Sequence, residues 1–165
     1  SDLTKRGMPN HVQWSDPCGK ALATVKQRLG NSPILQLPDF SKPFILRTDA
    51  SDVGLGAVLL QEHDGEKFPV MYASRKLQDR EKNYATTEKE CLAVVWAIQK
   101  FHKYLYGTKF VLETDHEALS FINQAKLTNG RVMRWAITLQ MYRYNVQVIP
   151  GKENIGADLL SRCGI

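Results

Sequence analysis

Phe44-Ile45-Leu46-Arg47-Thr48-Asp49 and Phe110-Val111-Leu112-Glu113-Thr114-Asp115 are two runs of one design. Each opens on aromatic and branched apolar residues that suit a strand, and each ends in Thr-Asp. Between them lie the hairpin signals and the helix that set their relative direction. Residues 44–49, 54–62 and 68–75 read as three strands, with the turn His63-Asp64-Gly65-Glu66 joining the second to the third. Asp79 to Asn83 reads as a polar loop, and a long helix is expected from about Thr87 to Tyr106, stopped by Gly107. A fourth strand follows at 109–115, helices at about 117–124 and 131–142, a fifth strand at 144–149 and a last helix at 155–162. Hairpins first, then strands joined through helices, imply a mixed sheet. A helical crossover lets the fourth strand run parallel to the first. Asp49 and Asp115 would then meet at one C-terminal sheet edge, where sites of open α/β sheets form.

Helical periodicity separates two glutamates. Steps of three and four from Glu90 reach Val94, Ala97, Ile98, Phe101 and Leu105, an unbroken apolar face. From Glu88 they reach Leu92 and Val95, then Gln99, His102 and Lys103. Glu90 is therefore expected to point at the sheet, and Glu88 to be a helix-start residue favoured by the dipole. Carboxylates gathered at one edge repel one another, and burying them ionised is costly without a cation. The economical reading is a magnesium site. Asp158, in the first turn of the last helix, is on its own an ordinary place for an acid.

The chain has 165 residues and a net charge of +5. That length fits one domain with a short appendage, and no apolar run reaches the length of a membrane span. Cys18, Cys91 and Cys163 are widely spaced and show no zinc pattern, so free thiols are expected. From Ala118 to Lys152 there is no acid, while Lys126, Arg131, Arg134, Arg143 and Lys152 alternate with Phe121, Trp135, Tyr142 and Tyr144. A positive strip beside carboxylates suits a polyanion, though a solvated helix face has the same composition. The first forty residues read as an appendage. Asp16-Pro17 starts a helix, Ala21, Leu22, Val25 and Leu29 form its stripe, and Ser32-Pro33 to Pro38-Asp39 connects it onward.

Several motifs in order carry a resemblance. They are Phe44 to Ser51, Gly54-Leu55-Gly56-Ala57-Val58-Leu59, Tyr72-Ala73-Ser74-Arg75-Lys76-Leu77, and Asn83 to Val95 with its Thr-Thr-Glu-Lys-Glu. Tyr104-Leu105-Tyr106-Gly107, Thr114-Asp115-His116 and Gly151 to Arg162 continue it. The series resembles the ribonuclease H domain of gypsy-type (Metaviridae) long-terminal-repeat retrotransposon polyproteins, over about 40 to 163. Residues 1–40 resemble the connector from the reverse transcriptase side, with 41–165 as the nuclease domain, and a chain cut from a larger polyprotein is expected. The resemblance implies an α/β ribonuclease H-like fold, a five-stranded mixed sheet flanked by helices with an N-terminal helical appendage. It implies an endonuclease that cuts the RNA strand of RNA–DNA hybrids with two Mg²⁺ ions, Mn²⁺ substituting, during reverse transcription.

Asp49, Glu90, Asp115 and Asp158 match the family's metal-ligand and catalytic positions. Lys126, Arg131, Arg134, Arg143, Lys152 and His116 are the candidate nucleic-acid contacts. Many relatives carry a histidine in the loop before the last aspartate; here Pro150-Gly151-Lys152-Glu153-Asn154 has none. The expected partners are the hybrid and the polyprotein's reverse transcriptase domain, without a membrane. The expected location is the cytoplasm, in a virus-like particle, or the nucleus. A rival reading is a DNA-directed nuclease on the same fold. Another is a domesticated or connection-type module that binds nucleic acid without turnover.

Overall fold

The computed structural model describes residues 35–116 and 130–162. The expected helices at 17–29 and 117–124, Lys126, Cys18 and Cys163 lie outside the described residues. The residues from Leu35 onward belong to one compact unit. In chain order it contains β1 (Phe44–Ala50), β2 (Gly54–His63), β3 (Glu66–Lys76), α1 (Asp79–Lys82), α2 (Thr86–Lys100) and α3 (His102–Leu105). Then come β4 (Lys109–Thr114), α4 (Gly130–Leu139), β5 (Arg143–Val148), a 3₁₀ turn (Gly151–Glu153) and α5 (Ile155–Arg162). Among the described residues no helix is long and apolar enough to cross a membrane.

The five strands form one sheet in the order β3-β2-β1-β4-β5. β1–β2 and β2–β3 are antiparallel; β1–β4 and β4–β5 are parallel. The two look-alike runs lie side by side in register, Phe44 opposite Phe110 and Arg47 opposite Glu113. The β2–β3 turn has positive φ at both Asp64 and Gly65, the two-residue geometry whose twist matches that of the strands. Pro69 sits where the β2–β3 register shifts, on the edge strand, so its missing N–H breaks no central ladder.

Two differences from the sequence expectation have local causes. The stretch expected to be a loop contains one helical turn, α1, because Glu81 turns back to accept the Gln78 N–H at 2.8 Å and is gripped by Arg75 at 2.6 Å. The long helix is interrupted at Phe101, where φ is −100° and ψ 19°. Phe101 at the break and Leu105 beyond it are both fully buried.

Period-two alternation divides the sheet into two faces. Phe44, Leu46, Phe110 and Leu112 pack with Val94, Ala97 and Ile98 of α2 and with Phe101 at its C-cap in the main core. Each of the larger side chains contributes roughly 1.5–3 kcal/mol by leaving water. On the other face Ile45, Val58 and Leu60 meet Ala157 of α5, with Val111 and Leu160 packed against them. α5 comes so close that a Cβ on Gly56 would stand 2.1 Å from the Ala157 carbonyl oxygen. That approach, bought by two glycines in β2, brings the last helix onto the sheet.

Candidate active site

Asp49 is the last but one residue of β1, and Asp115 follows the end of β4. Because β1 and β4 are parallel and in register, both carboxylates leave the sheet at its C-terminal edge. Glu90 reaches the same edge from the buried stripe of α2, and Asp158 from the first turn of α5.

Their electrostatics show that they converge. Burial raises the Asp49 carboxyl above its ordinary value, against a 2.5 Å hydrogen bond from the Ser161 hydroxyl, and the negative charges of Asp115 and Asp158 push it further. Glu90 is pushed up to about 8, first by burial, then by Asp49 and Asp115; the Ala50 N–H works the other way. Glu90 Oε2 is buried and has no hydrogen-bond partner. An ionised carboxylate oxygen left like that is expensive unless a proton or a cation meets it.

The outer two carboxylates are held by neighbours. Asn154, fully buried, donates from Nδ2 to Asp115 Oδ1 at 3.1 Å and to the Thr48 carbonyl at 3.0 Å. Its own carbonyl accepts the Asp158 N–H at 3.1 Å. The Asn154 side chain thus ties β1 to Asp115 at the end of β4, while its main-chain carbonyl opens α5. Arg162 grips Asp158 Oδ1 at 2.6 Å. Behind these groups Glu113, almost fully buried, is neutralised by Arg47 at 2.6 Å and Lys67 at 2.5 Å. Arg47 also donates to the Glu153 carbonyl at 2.6 Å, which anchors the loop that carries Asn154.

Among the described residues, no three His, Cys, Asp or Glu side chains are already closed around one point where a metal ion would sit. The donor set nevertheless fits a hard divalent cation. It offers carboxylate oxygens alone, one of them an orphan, with mutual repulsion that a cation would relieve. Asp49, Glu90, Asp115 and Asp158 are the residues that would hold it.

Glu88 takes the other role that periodicity gives it. Its Oε2 accepts the Ala85 N–H at 3.0 Å at the helix start, and Arg131 reaches its Oε1 at 3.2 Å. Arg131 also lies 3.9 Å over the Tyr84 ring. With Arg134 and Trp135 it lines an open polar cleft of about 530 Å³. Lys152 is exposed in the 3₁₀ turn next to Gly151, whose position is 3.2 Å from Asp115 Oδ2 when a Cβ is built on it. His116 adjoins Asp115, and its Nδ1 is buried without a partner. Arg143 stands apart. It pairs with Lys109 at the start of the parallel ladder, five residues from the Thr114–Val148 end where the carboxylates gather.

Asn154, Ser161, Arg162 and the Arg47–Glu113–Lys67 group are the residues that sequence reasoning missed. Arg47 and Glu113 occupy equivalent positions two residues before Asp49 and Asp115, and that was the one signal available. Cys91 is a buried free thiol, pushed up to about 11 by burial first and by the nearby glutamates.

The chain is similar to the Pol polyprotein of transposon 412 of Drosophila melanogaster, 42% identical over 99% of its length. It is 46% identical to that of the gypsy transposon over 92% of its length, and 39% identical to the Tf2-3 polyprotein of Schizosaccharomyces pombe over 91%. It spans only 13%, 14% and 12% of these relatives. Among solved structures, prototype foamy virus protease–reverse transcriptase superposes with a TM-score of 0.63 at 16% identity, covering 90% of this chain and 20% of that one. LC11-RNase H1, solved with an RNA/DNA hybrid, superposes with a TM-score of 0.56 at 16% identity, over 71% of this chain and 92% of that one. These two likenesses show the fold, a five-stranded mixed sheet flanked by helices. Residues 39–142 match the RNase H-like domain found in reverse transcriptase, and with the transposon relatives this shows that the chain belongs to that family.

Proposed function

We propose that this domain is a Mg²⁺-dependent endonuclease that cleaves the RNA strand of RNA–DNA hybrids within a retrotransposon polyprotein. The observation that carries the reading is the meeting of Asp49, Glu90, Asp115 and Asp158 at one sheet edge, with Glu90 Oε2 buried and unpartnered. The family and the hybrid held by LC11-RNase H1 support the substrate class. Two bound Mg²⁺ ions, or Mn²⁺ in their place, would lower the pKa of an attacking water and stabilise the departing oxygen.

The chain's own residues provide the frame. Asp49 and Glu90 are fixed by burial, Asp115 by Asn154, and Asp158 by the seating of α5 on β2. His116 and Lys152 stand beside the carboxylates, where a phosphate or sugar of the substrate would pass. Arg131 and Arg134 offer cations across the neighbouring cleft for the duplex backbone, with 2′-hydroxyls in the minor groove identifying the RNA strand. The upstream partner is the polyprotein's reverse transcriptase, joined through residues 1–40. The domain works in the cytoplasm, in a virus-like particle, or in the nucleus.

The test is cleavage of end-labelled hybrid, duplex DNA and single-stranded RNA with and without Mg²⁺. Cutting confined to the RNA of the hybrid, dependent on Mg²⁺ and lost in Asp49→Asn, is expected. Equal cutting of duplex DNA would point to a DNA nuclease. Binding without cutting would point to a domesticated or connection-type module.

A further inference from the structure

Beside the carboxylates lies a recess of about 220 Å³ lined by Ala50, Ser51, Asp52, Thr86, Lys89 and Arg162. Two lining residues are chain neighbours of the candidate ligands. Ala50 follows Asp49, and Lys89 precedes Glu90. The recess therefore opens next to the place where a reacting phosphate would lie, on the same edge of the sheet.

Lys89 is the unusual member. Lysines are seldom buried, yet its side chain is only 10% exposed. Its ammonium ends 2.7 Å from Asp52 Oδ1, and the Asp52 side chain is 95% exposed. A pair with so hydrated a carboxylate contributes little to stability, so structure alone gives a weak reason to bury this lysine stem. Arg162 brings a second cation to the same recess, and its partner Asp158 is itself partly exposed. Thr86 adds a hydroxyl at the first turn of α2, the end of the helix that favours anions.

On the basis of the proposed nuclease reading, we infer that this recess is a phosphate subsite. It receives the backbone phosphate that flanks the scissile one on the same strand. The Asp52 carboxylate is a placeholder: its oxygen occupies the position beside Lys89 Nζ that a phosphate oxygen would take. Exchange leaves Asp52 hydrated at the surface and gives Lys89 a singly charged phosphodiester in its place.

The assignment makes opposite predictions for the two members of one ion pair. Binding of a fluorescent RNA–DNA hybrid to the full chain is followed by anisotropy across a salt series in EDTA, which keeps the substrate intact. Lys89→Gln should weaken binding several-fold and make the log–log salt slope shallower by about 0.9, one phosphate contact. Lys89→Arg should restore most of both. Asp52→Asn should tighten binding, and the gain should vanish in the Lys89→Gln background, because it acts through that ammonium. A merely structural salt bridge would give no gain for Asp52→Asn. Unchanged slope and affinity in Lys89→Gln, or an Asp52→Asn gain that persists without Lys89, overturns the subsite. Failure of the unaltered chain to bind or cut hybrids overturns the nuclease reading instead. Asp52→Asn, a surface change, keeps the question answerable if Lys89→Gln folds poorly.

Discussion

Glu90 is the acid of the candidate site that burial perturbs strongly. Its folded pKa of about 8 stands well above the ordinary 4.5, through burial and the charges of Asp49 and Asp115. An unfolded chain ionises this group above pH 4.5, while the folded chain keeps it protonated to about 8. In that window each pH unit favours unfolding by about 1.4 kcal/mol. Without divalent cation, urea unfolding should therefore show stability falling from pH 5 to pH 8, and Glu90→Gln should flatten that fall. Saturating Mg²⁺ should also flatten it, by giving the ionised form a partner. A profile identical in Glu90→Gln and the unaltered chain would show that Glu90 is not the group. Hybrid cleavage should vanish in Glu90→Gln at matched Mg²⁺, whereas Glu88→Gln, whose amide oxygen can still accept the Ala85 N–H, should keep most activity.

Among the elements, α5 is the one whose position is most demanding. It carries Asp158 and Ser161, and it lies on β2 only because Gly54 and Gly56 lack side chains. A Cβ at Gly56 would meet the Ala157 oxygen at 2.1 Å and the Ser161 nitrogen at 2.6 Å, both backbone atoms that cannot turn aside. Gly56→Ala should force α5 outward and lower stability by about 1–3 kcal/mol, the range of overpacked cores. It should also separate Ser161 from Asp49 and cost activity beyond the loss of folded protein. Circular dichroism melting together with turnover per folded molecule would measure both effects. Gly65→Ala is the contrast. It meets no atom within 4 Å, so its strain at φ +82° stays at the distant hairpin and should leave turnover per folded molecule unchanged.

For the molecule as a whole, the strap from 35 to 42 belongs with the sheet that follows it. Gln61, fully buried, accepts the Asp39 N–H at 2.8 Å and donates to the carbonyls of Asp39 at 2.7 Å and Lys42 at 3.2 Å. Phe40 meets Phe44 edge-on at 5.8 Å and stacks on Tyr104 at 6.2 Å. The Gln36 N–H is bound to the Pro69 carbonyl. Removing residues 1–42 instead of 1–34 should strip these partners and leave the Gln61 amide buried and unsatisfied, at about 1–3 kcal/mol. A lower melting temperature for the shorter chain is expected. Equal melting of the two would show that the strap is held by nothing the fold depends on.

The two similar runs that end in Thr-Asp, the hairpin glycines and the stripe below Glu90 make the sheet and the places of three acids legible in the sequence. Strand alternation and helical period are local properties, and they decide which side chains face inward wherever a segment folds. The interruption at Phe101 and the turn at Asp79–Lys82 were not legible. The second depends on Arg75 arriving from β3. The same holds within the site. Asp49 and Glu90 could be picked out singly, but Asn154 tying Asp115 to β1, Ser161 on Asp49, and Lys89 turned toward Asp52 join residues 106, 112 and 37 positions apart. Sequence alone determined the five strands and the inward-facing acids Asp49 and Glu90, because these follow from periodicity along the chain. Only the tertiary structure decided how the acids are held, which cations stand beside them and where Arg143 lies relative to them, because those relations exist only once distant segments share one edge of the sheet.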